Sequence, residues 1–541
     1  MTDAPVPDRG NTLATYTPPP HVTGHWQVRK PAARGRGVVC SQSRAAAEAG
    51  AAVLEAGGNA ADAAVAACFA LATVEPWNSG LGGIGFAIVQ KPGEKPQVVD
   101  FGPVSPAATD PADYPLTGRT KTDLFAWPEV EGDRNVHGPL SFCIPSSVAG
   151  YDALRERFGT GIPVRDLLAP AAALARRGLA QDWFTLIKVA NSAAILRNYP
   201  ESARIYLPNG LPPVPPYQGN PGFFRQGNLP DTLDRLRQHG LRDFYEGGIA
   251  ADLAADFAAM GAKVSAGDLA ACRATIRDTT PLDWRGTHTA HTAGGLTAAP
   301  TMAAVLRDMA QITPGAAPDA AWYRALARIM RAAYADRLSG LGAGEGAAKE
   351  TAETCTTHLT VMDKDGLAVT VTTTLLSSMG SRVVLPKTGV LMNNGIHWFD
   401  PTPGSANAIR PGARPLCNMS PVIVTRAGDD TPLIATGASG GRRILASVYQ
   451  MLAYVLDFGM DPETAAHTPR LDVSGPDGAT ADRNLGEAVI AALAADGPVE
   501  VVEHATLPVN FACPNLIRRD GDACTGITDA MSPWSAAIAA G

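Results

Sequence analysis

What most constrains this chain is a junction. Residues 340–355, GLGAGEGAAKETAETC, have no apolar period and read as a linker, and directly behind them come two alternating Thr/Val-rich runs, THLTVM and LAVTVTTTLL. Asp363-Lys364-Asp365-Gly366 joins the two runs, a strong hairpin signal. A polar linker therefore ends on Thr356, the first residue of a strand with a buried character.

That placement suits one kind of chemistry. A Thr hydroxyl at such a point can attack the peptide bond before it and free its own amino group, whose pKa of about 7.7–8.0 fits it to act as general base for the same hydroxyl. Thr is also common at the start of ordinary strands, so spacing alone leaves that reading open.

The rest of the chain is mixed helix and strand. Residues 1–35 are Pro-rich, polar and without periodicity, as in a flexible or wrapping arm. A short strand, GVVCS, leads into an Ala-rich helix over 43–56 that stops at Gly57-Gly58. A second helix is predicted over 59–71, with Asp62 in its first turn and Val74-Glu75-Pro76 as its breaker. SGLGGIGFAIVQ is a Gly-rich turn entering a strand, and PQVVDFGP is its hairpin partner. From about 147 to 338 the pattern is mostly helical; later TPLIATG reads as a strand and 442–458 as a helix.

At 541 residues the chain could hold three to four domains or one large α/β unit. The 45 Lys+Arg against 52 Asp+Glu, with no basic run, argue against a nucleic-acid partner. The longest apolar stretch, 63–74, is too short for a membrane span of about 20 residues. The start, MTDAPVPDRG, has neither the charged nor the apolar region of a secretory signal, and a cytoplasmic location is expected. Eight scattered cysteines without CxxC spacing read as free thiols. His288 and His291 lack carboxylate or cysteine partners at ligand spacing, so neither metal nor organic cofactor is expected.

TTHLTVMDKDG at 356–366, LMNN at 391–394, RPLCNMSP at 414–421, TGASGG at 436–441 and the run GGNAADAAVAACFALATVEPWNSGLGGIGF together resemble the γ-glutamyltranspeptidase family, in the family's order. The resemblance runs from about Gly37 to about Leu471. It implies an αββα Ntn-hydrolase sandwich, two stacked β-sheets between helical layers, made as a proenzyme that cuts itself at Cys355|Thr356. Residues 36–355 would then be a large subunit and 356–541 a small one, together forming one Ntn-hydrolase unit, with pairing into a homodimer possible. By position Thr356 matches the nucleophile, Thr374 the Thr that hydrogen-bonds it, and Gly440 and Gly441 the pair whose N–H groups form the oxyanion hole.

The specificity positions depart from that pattern. Glutamyl-transferring members carry an Arg after the Asp-Phe pair to clamp the substrate carboxylate, and this chain has Gly102 there. Three polar positions that hold the glutamyl group align with Leu376, Gly395 and Trp398, and the family's adjacent Ser pair is Cys417-Asn418. Losing charge-assisted contacts worth about 1.5–3 kcal/mol each weakens γ-glutamyl recognition. The segment 399–414 is also shorter than the family's lid loop, as in amidohydrolase and acylase members. The expectation is hydrolysis of a small, carboxylate-bearing amide of oxamate type, with Asn418, Cys417, Trp398 and Arg442 on the substrate, Arg442 replacing the clamp; Arg382 and Arg414 are further candidates. γ-Glutamyl hydrolysis or transfer on glutathione, a cephalosporin-acylase-like activity, and a non-enzymatic binding protein on a degenerate Ntn scaffold are the alternatives.

Two motifs compete. Gly437-Ala438-Ser439-Gly440-Gly441 fits G-x-S-x-G between a strand and a helix, with His467 and His504 downstream, although no HGGG-type segment precedes it. SGLGGIGF precedes a strand instead of a helix, which argues against dinucleotide binding.

Overall fold

The hairpin read from the sequence forms from strands Thr354–Met362 and Ala368–Ser377, and it lies at the centre of a seven-stranded sheet. The computed structural model describes residues 29–121, 125, 127–340 and 354–541. Across the first sheet the order is Ala536–Ala540, Gly37–Ser41, Thr354–Met362, Ala368–Ser377, Ile84–Gln90, Gln97–Phe101 and Thr275–Asp278, antiparallel throughout. A second antiparallel sheet of seven runs Ala33–Gly35, Ala523–Thr528, Cys513–Asp520, Pro432–Ser439, Val422–Arg426, His288–Thr292 and Thr280–Trp284.

The period-2 pattern of the hairpin sorts its side chains between two buried faces, since all ten residues of Ala368–Ser377 are buried. Leu359, Val361, Val369 and Val371 pack on one side with Ala47, Ala63, Phe69 and Tyr151, from helices Arg44–Glu55, Ala60–Val74 and Ser147–Phe158. Between the sheets, Val38, Ile84, Phe86 and Ile88 meet Ile423, Ala435 and Ile517. The outer face of the second sheet is covered by Ala299–Met309, Ala320–Gly340 and Ile444–Leu456, which pack on Val422, Val424 and Ile434. The layers are thus αββα, as the resemblance implies.

Polar side chains also lie between the sheets, and they are hydrogen-bonded. Buried His358 contacts Thr372 through Nδ1 at 2.9 Å and Thr370 through Nε2 at 2.9 Å. Thr370 donates its hydroxyl proton to the Thr436 carbonyl and Thr360 donates to Asn515 Oδ1, so the imidazole proton belongs on Nε2. Burial pushes the His358 pKa down to about 3, and the ring is neutral.

Helix Ala60–Val74 opens on a capping box between Asn59 and Asp62, and it runs three residues beyond its expected end before Glu75 caps it. Of the expected arm, Ala33–Gly35 pairs with the second sheet, and Arg29 bonds Glu463 Oε1 at 2.8 Å. The remainder of the arm, 1–28, and the core of the expected linker, 341–353, lie outside the described residues.

Candidate active site

The strand bearing Thr356 begins two residues earlier than the sequence suggested. In the uncut chain the backbone on both sides of the Cys355–Thr356 bond pairs with the neighbouring strand, Cys355 opposite Leu376 and Thr357 opposite Thr373. Between these pairs Thr374 and Leu375 oppose Thr356 alone, a bulge that bends the second strand and aims the Thr374 side chain at Thr356. Leu376 completes the bend at φ +84, a left-handed conformation costly for a branched residue and characteristic of sites held by their surroundings.

Three hydrogen bonds meet at Thr374. Thr356 Oγ1 donates to Thr374 Oγ1 at 3.1 Å, the Leu376 N–H donates to the same oxygen at 2.8 Å, and Thr374 donates its proton to the Cys355 carbonyl at 2.6 Å. Thr374 thus orients the hydroxyl and polarises the carbonyl of the bond that hydroxyl would attack. Both Thr residues are buried.

Ser439 ends the strand Pro432–Ser439, and Gly440 and Gly441 follow at φ +135 and +61. A Cβ at Gly440 would lie 2.8 Å from Ala512 Cα, so glycine is required there by conformation and by space. Among the described residues neither the Gly440 nor the Gly441 N–H has a hydrogen-bond acceptor, which leaves both available to a developing oxyanion.

Five of the sequence-predicted site residues line two pockets. Thr356 and Gly440 line the first with Gln42, Glu75, Asn78, Lys188 and Ser439. Trp398, Asn418 and Arg442 line the second with Phe125, Trp127 and Arg337. Leu376 links the pockets, since its N–H holds Thr374 and its side chain packs in one cluster with Trp127, Trp398 and Cys417. Cys417 lines neither pocket: its thiol is buried in that cluster, its pKa pushed up to about 11 by burial, its carbonyl accepts from Arg337 Nη2 at 2.7 Å and its N–H donates to the Leu296 carbonyl at 2.9 Å. The expected substrate contact from its side chain is not what this packing provides.

Two guanidiniums border the second pocket. Arg442 is buried, with Nη2 3.4 Å from the Phe125 carbonyl and its guanidinium 5.6 Å from the Phe125 ring centre. Arg337 is buried as well, and it donates to neutral oxygens of Thr297, Thr301, Cys417 and Asn418. Burial, with the nearby Arg442 charge, lowers the Arg337 pKa.

A third guanidinium answers the absence at Gly102. A Cβ there would fall 2.6 Å from Arg414 Nη2, so the space in which a side chain would start is filled by Arg414, held by Asp100. Asp100 also pairs with Arg277 at 3.0 Å. Arg382, by contrast, turns its Nη1 onto the Gly380 carbonyl at 2.7 Å.

For the nucleophile-elbow reading, Ser439, His504 and Asp529 share one cleft, but among the described residues no hydrogen bond joins Ser439 to His504. Gln42 Nε2 donates to Ser439 Oγ. His504 pairs with Asp529 at 3.3 Å, and His467 Nδ1 faces the Glu463 carbonyl. The Gly80–Gly83 turn leads into strand Ile84–Gln90 and packs against the Leu391–Met392 segment: a Cβ at Gly82 would lie 2.3 Å from the Leu391 carbonyl. Among the described residues no group of three or more His, Cys, Asp or Glu could hold a metal ion, and no helix is long and apolar enough to cross a membrane. Sequence reasoning missed Arg337, which passed as one residue of an amphipathic helix, and Glu75, which passed as a helix breaker.

A Thr at a bulged strand in the middle of an αββα sandwich, beside free glycine N–H groups, defines an N-terminal nucleophile hydrolase. The family model for γ-glutamyltranspeptidase matches residues 46–345 and 343–539. The chain is 30% identical over 501 residues to the glutathione hydrolase proenzyme of Escherichia coli, covering 82% of each, and 29% identical over 491 residues to the acylase ACY 1 proenzyme of a Pseudomonas strain, covering 85% of this chain and 86% of the other. A cephalosporin acylase from Bacillus halodurans superposes with a TM-score of 0.79 at 21% identity, over 98% of this chain and 99% of that one, which speaks to fold alone. The chain belongs to the γ-glutamyltranspeptidase family, and it is a hydrolytic Ntn enzyme formed as a self-processed proenzyme.

Proposed function

We propose that the chain cuts itself between Cys355 and Thr356 and then hydrolyses the amide of a small substrate whose acyl part joins an apolar body to a carboxylate. The observation that carries this reading is the second pocket: aromatic walls from Trp127 and Trp398, with the guanidiniums of Arg337 and Arg442 and the Asn418 amide at its border. Arginine forks suit a carboxylate and the ring faces suit an apolar chain.

In the mature enzyme the freed Thr356 amine takes the hydroxyl proton as Oγ1 attacks the acyl carbon. The Gly440 and Gly441 N–H groups receive the oxyanion, the leaving amine departs with the proton, and water releases the acyl group from Oγ1. A γ-glutamyl group, with its α-ammonium, meets Leu376 and Trp398 in place of polar partners. The relatives act as glutathione hydrolase and as acylase, and the aromatic walls favour the acylase side.

The test is a substrate panel of γ-glutamyl, cephalosporin side-chain and short oxo-acid amides, each beside its uncharged ester or amide analogue. A preference of tenfold or more in kcat/KM for the carboxylate-bearing member of each apolar pair is expected. Equal rates within every pair, or γ-glutamyl amides as the best substrates, would overturn the reading.

A further inference from the structure

Glu75 has no place in the chemistry described so far. It caps helix Ala60–Val74, where its N–H bonds the Leu71 carbonyl and its own carbonyl receives the Asn78 and Ser79 N–H groups. The residue is 4% exposed, and Oε2 of its carboxyl is fully buried without a hydrogen bond of good geometry. A buried unsatisfied carboxyl oxygen is costly, and such groups persist where they serve a reaction. The carboxyl borders the cleft that holds Thr356 and Gly440, and its polar neighbours include the side chains of Asn78 and of Thr357, one residue beyond the nucleophile.

We propose that Glu75 is the proton donor to the Thr356 nitrogen in self-cleavage. Thr356 Oγ1 attacks the Cys355 carbonyl carbon and forms the C–O bond of an ester. Its proton leaves through Thr374, which already bonds both the attacking oxygen and the carbonyl. The C–N bond then breaks, and the nitrogen takes its new proton from the Glu75 carboxyl, which becomes a carboxylate, while the proton relayed through Thr374 passes to solvent. Water hydrolyses the ester and restores the Thr356 hydroxyl. The inference rests on cleavage at Cys355–Thr356.

The surroundings supply the protonated form that this step needs. Burial raises the Glu75 pKa to about 7, against the opposing pull of the Thr357 and Asn78 side chains and the Lys188 charge. Across the cleft stand Arg443, His504, Cys513 and Asp529. Asp529 is held well below the carboxylate range, against its burial, by His504 and Arg470, and burial pushes Cys513 up to about 12. Neither competes as a donor near neutral pH.

The experiment follows a pulse-labelled chain, made cell-free, from uncut to cut between pH 5.5 and 9. Wild type is expected to cut fastest below about pH 7, its rate falling about tenfold per unit above. Glu75→Gln should slow cutting about 100-fold and lose that inflection, and Glu75→Asp should regain it. A Glu75→Gln chain that keeps the wild-type inflection overturns the assignment of Glu75 alone, whereas a wild-type chain that stays whole at every pH overturns the cleavage reading and this inference with it. Should Glu75→Gln not fold, carboxyl-¹³C NMR of the Thr356→Ala chain decides: one Glu carboxyl titrating near 7 is expected, and only ordinary carboxyl titrations would overturn the proposal.

Discussion

His358 occupies the space that Gly437 leaves empty: a Cβ at Gly437 would stand 2.2 Å from Cε1 of the imidazole and 2.5 Å from Nε2. The ring is fixed by Thr370 and Thr372 and cannot retreat without breaking those bonds. Gly437→Ala is therefore expected to destabilise the fold by about 1–3 kcal/mol. Thermal unfolding of the variant would show a lowered Tm; an unchanged Tm would mean that the sheets can part locally.

The same histidine gives the fold a pH dependence. With its folded pKa near 3 and an ordinary unfolded value of about 6.5, the neutral ring stabilises the protein above pH 6.5. As pH falls from 6.5 towards 3 the unfolded chain takes up the proton first, and stability drops by up to about 1.4 kcal/mol per unit. Denaturant unfolding between pH 7 and 5 should show this slope in wild type and lose it in His358→Asn.

Intact mass tests the Thr pair. Wild type should appear as residues 1–355 and 356–541 in two pieces, and Thr356→Ala as one chain. Thr374→Ala, which removes the hydroxyl bonded to both Thr356 and the Cys355 carbonyl, should slow conversion about 100-fold, and Thr374→Ser should restore most of it. Fast cutting by Thr374→Ala would deny the relay.

Arg442 and Gly102 test the carboxylate reading from two sides. Arg442→Ala should raise KM at least tenfold for an acidic acyl substrate and leave its uncharged analogue unaffected; an unchanged KM would remove Arg442 from recognition. Gly102→Ala places a Cβ 2.5 Å from Phe86 Cζ and 2.6 Å from Arg414 Nη2, and is expected to shift both the ring and the guanidinium held by Asp100. If Arg414 contributes to the clamp, the same selective rise in KM follows, and steady-state kinetics would show it.

The layered fold was legible because its signals are local and periodic. Val and Thr alternate along the hairpin, and Asn59 with Asp62 marks a helix start. What alternation did not tell is that both faces of Ala368–Ser377 are buried, because a Thr pointing at solvent and one pointing at His358 look alike in one dimension. Thr356, Thr374 and the Gly440-Gly441 pair could be named only through the match of their motifs to a family's order, since a Thr at a strand start is common on its own. Glu75 and Arg337 could not: each reaches its pocket through tertiary packing, 281 and 19 positions before Thr356. Cys417 shows the converse, a position matched in the chain whose side chain turns into the core.

The strand order of the two sheets has a consequence for the life of the molecule. Gly37–Ser41 lies between Ala536–Ala540 and Thr354–Met362, and the second sheet begins and ends on strands from before Thr356 while its middle comes from after it. Severing the chain at Cys355–Thr356 therefore yields two polypeptides braided through each other, neither owning a complete sheet. After that cut the assembly would rest on a connectivity no longer present, so a mature molecule that unravels would face a second-order, dilution-sensitive reunion where its precursor needs only to close on itself. Cleavage at that bond would make maturation in this architecture a one-way passage, with a working lifetime set by how slowly the cut molecule opens.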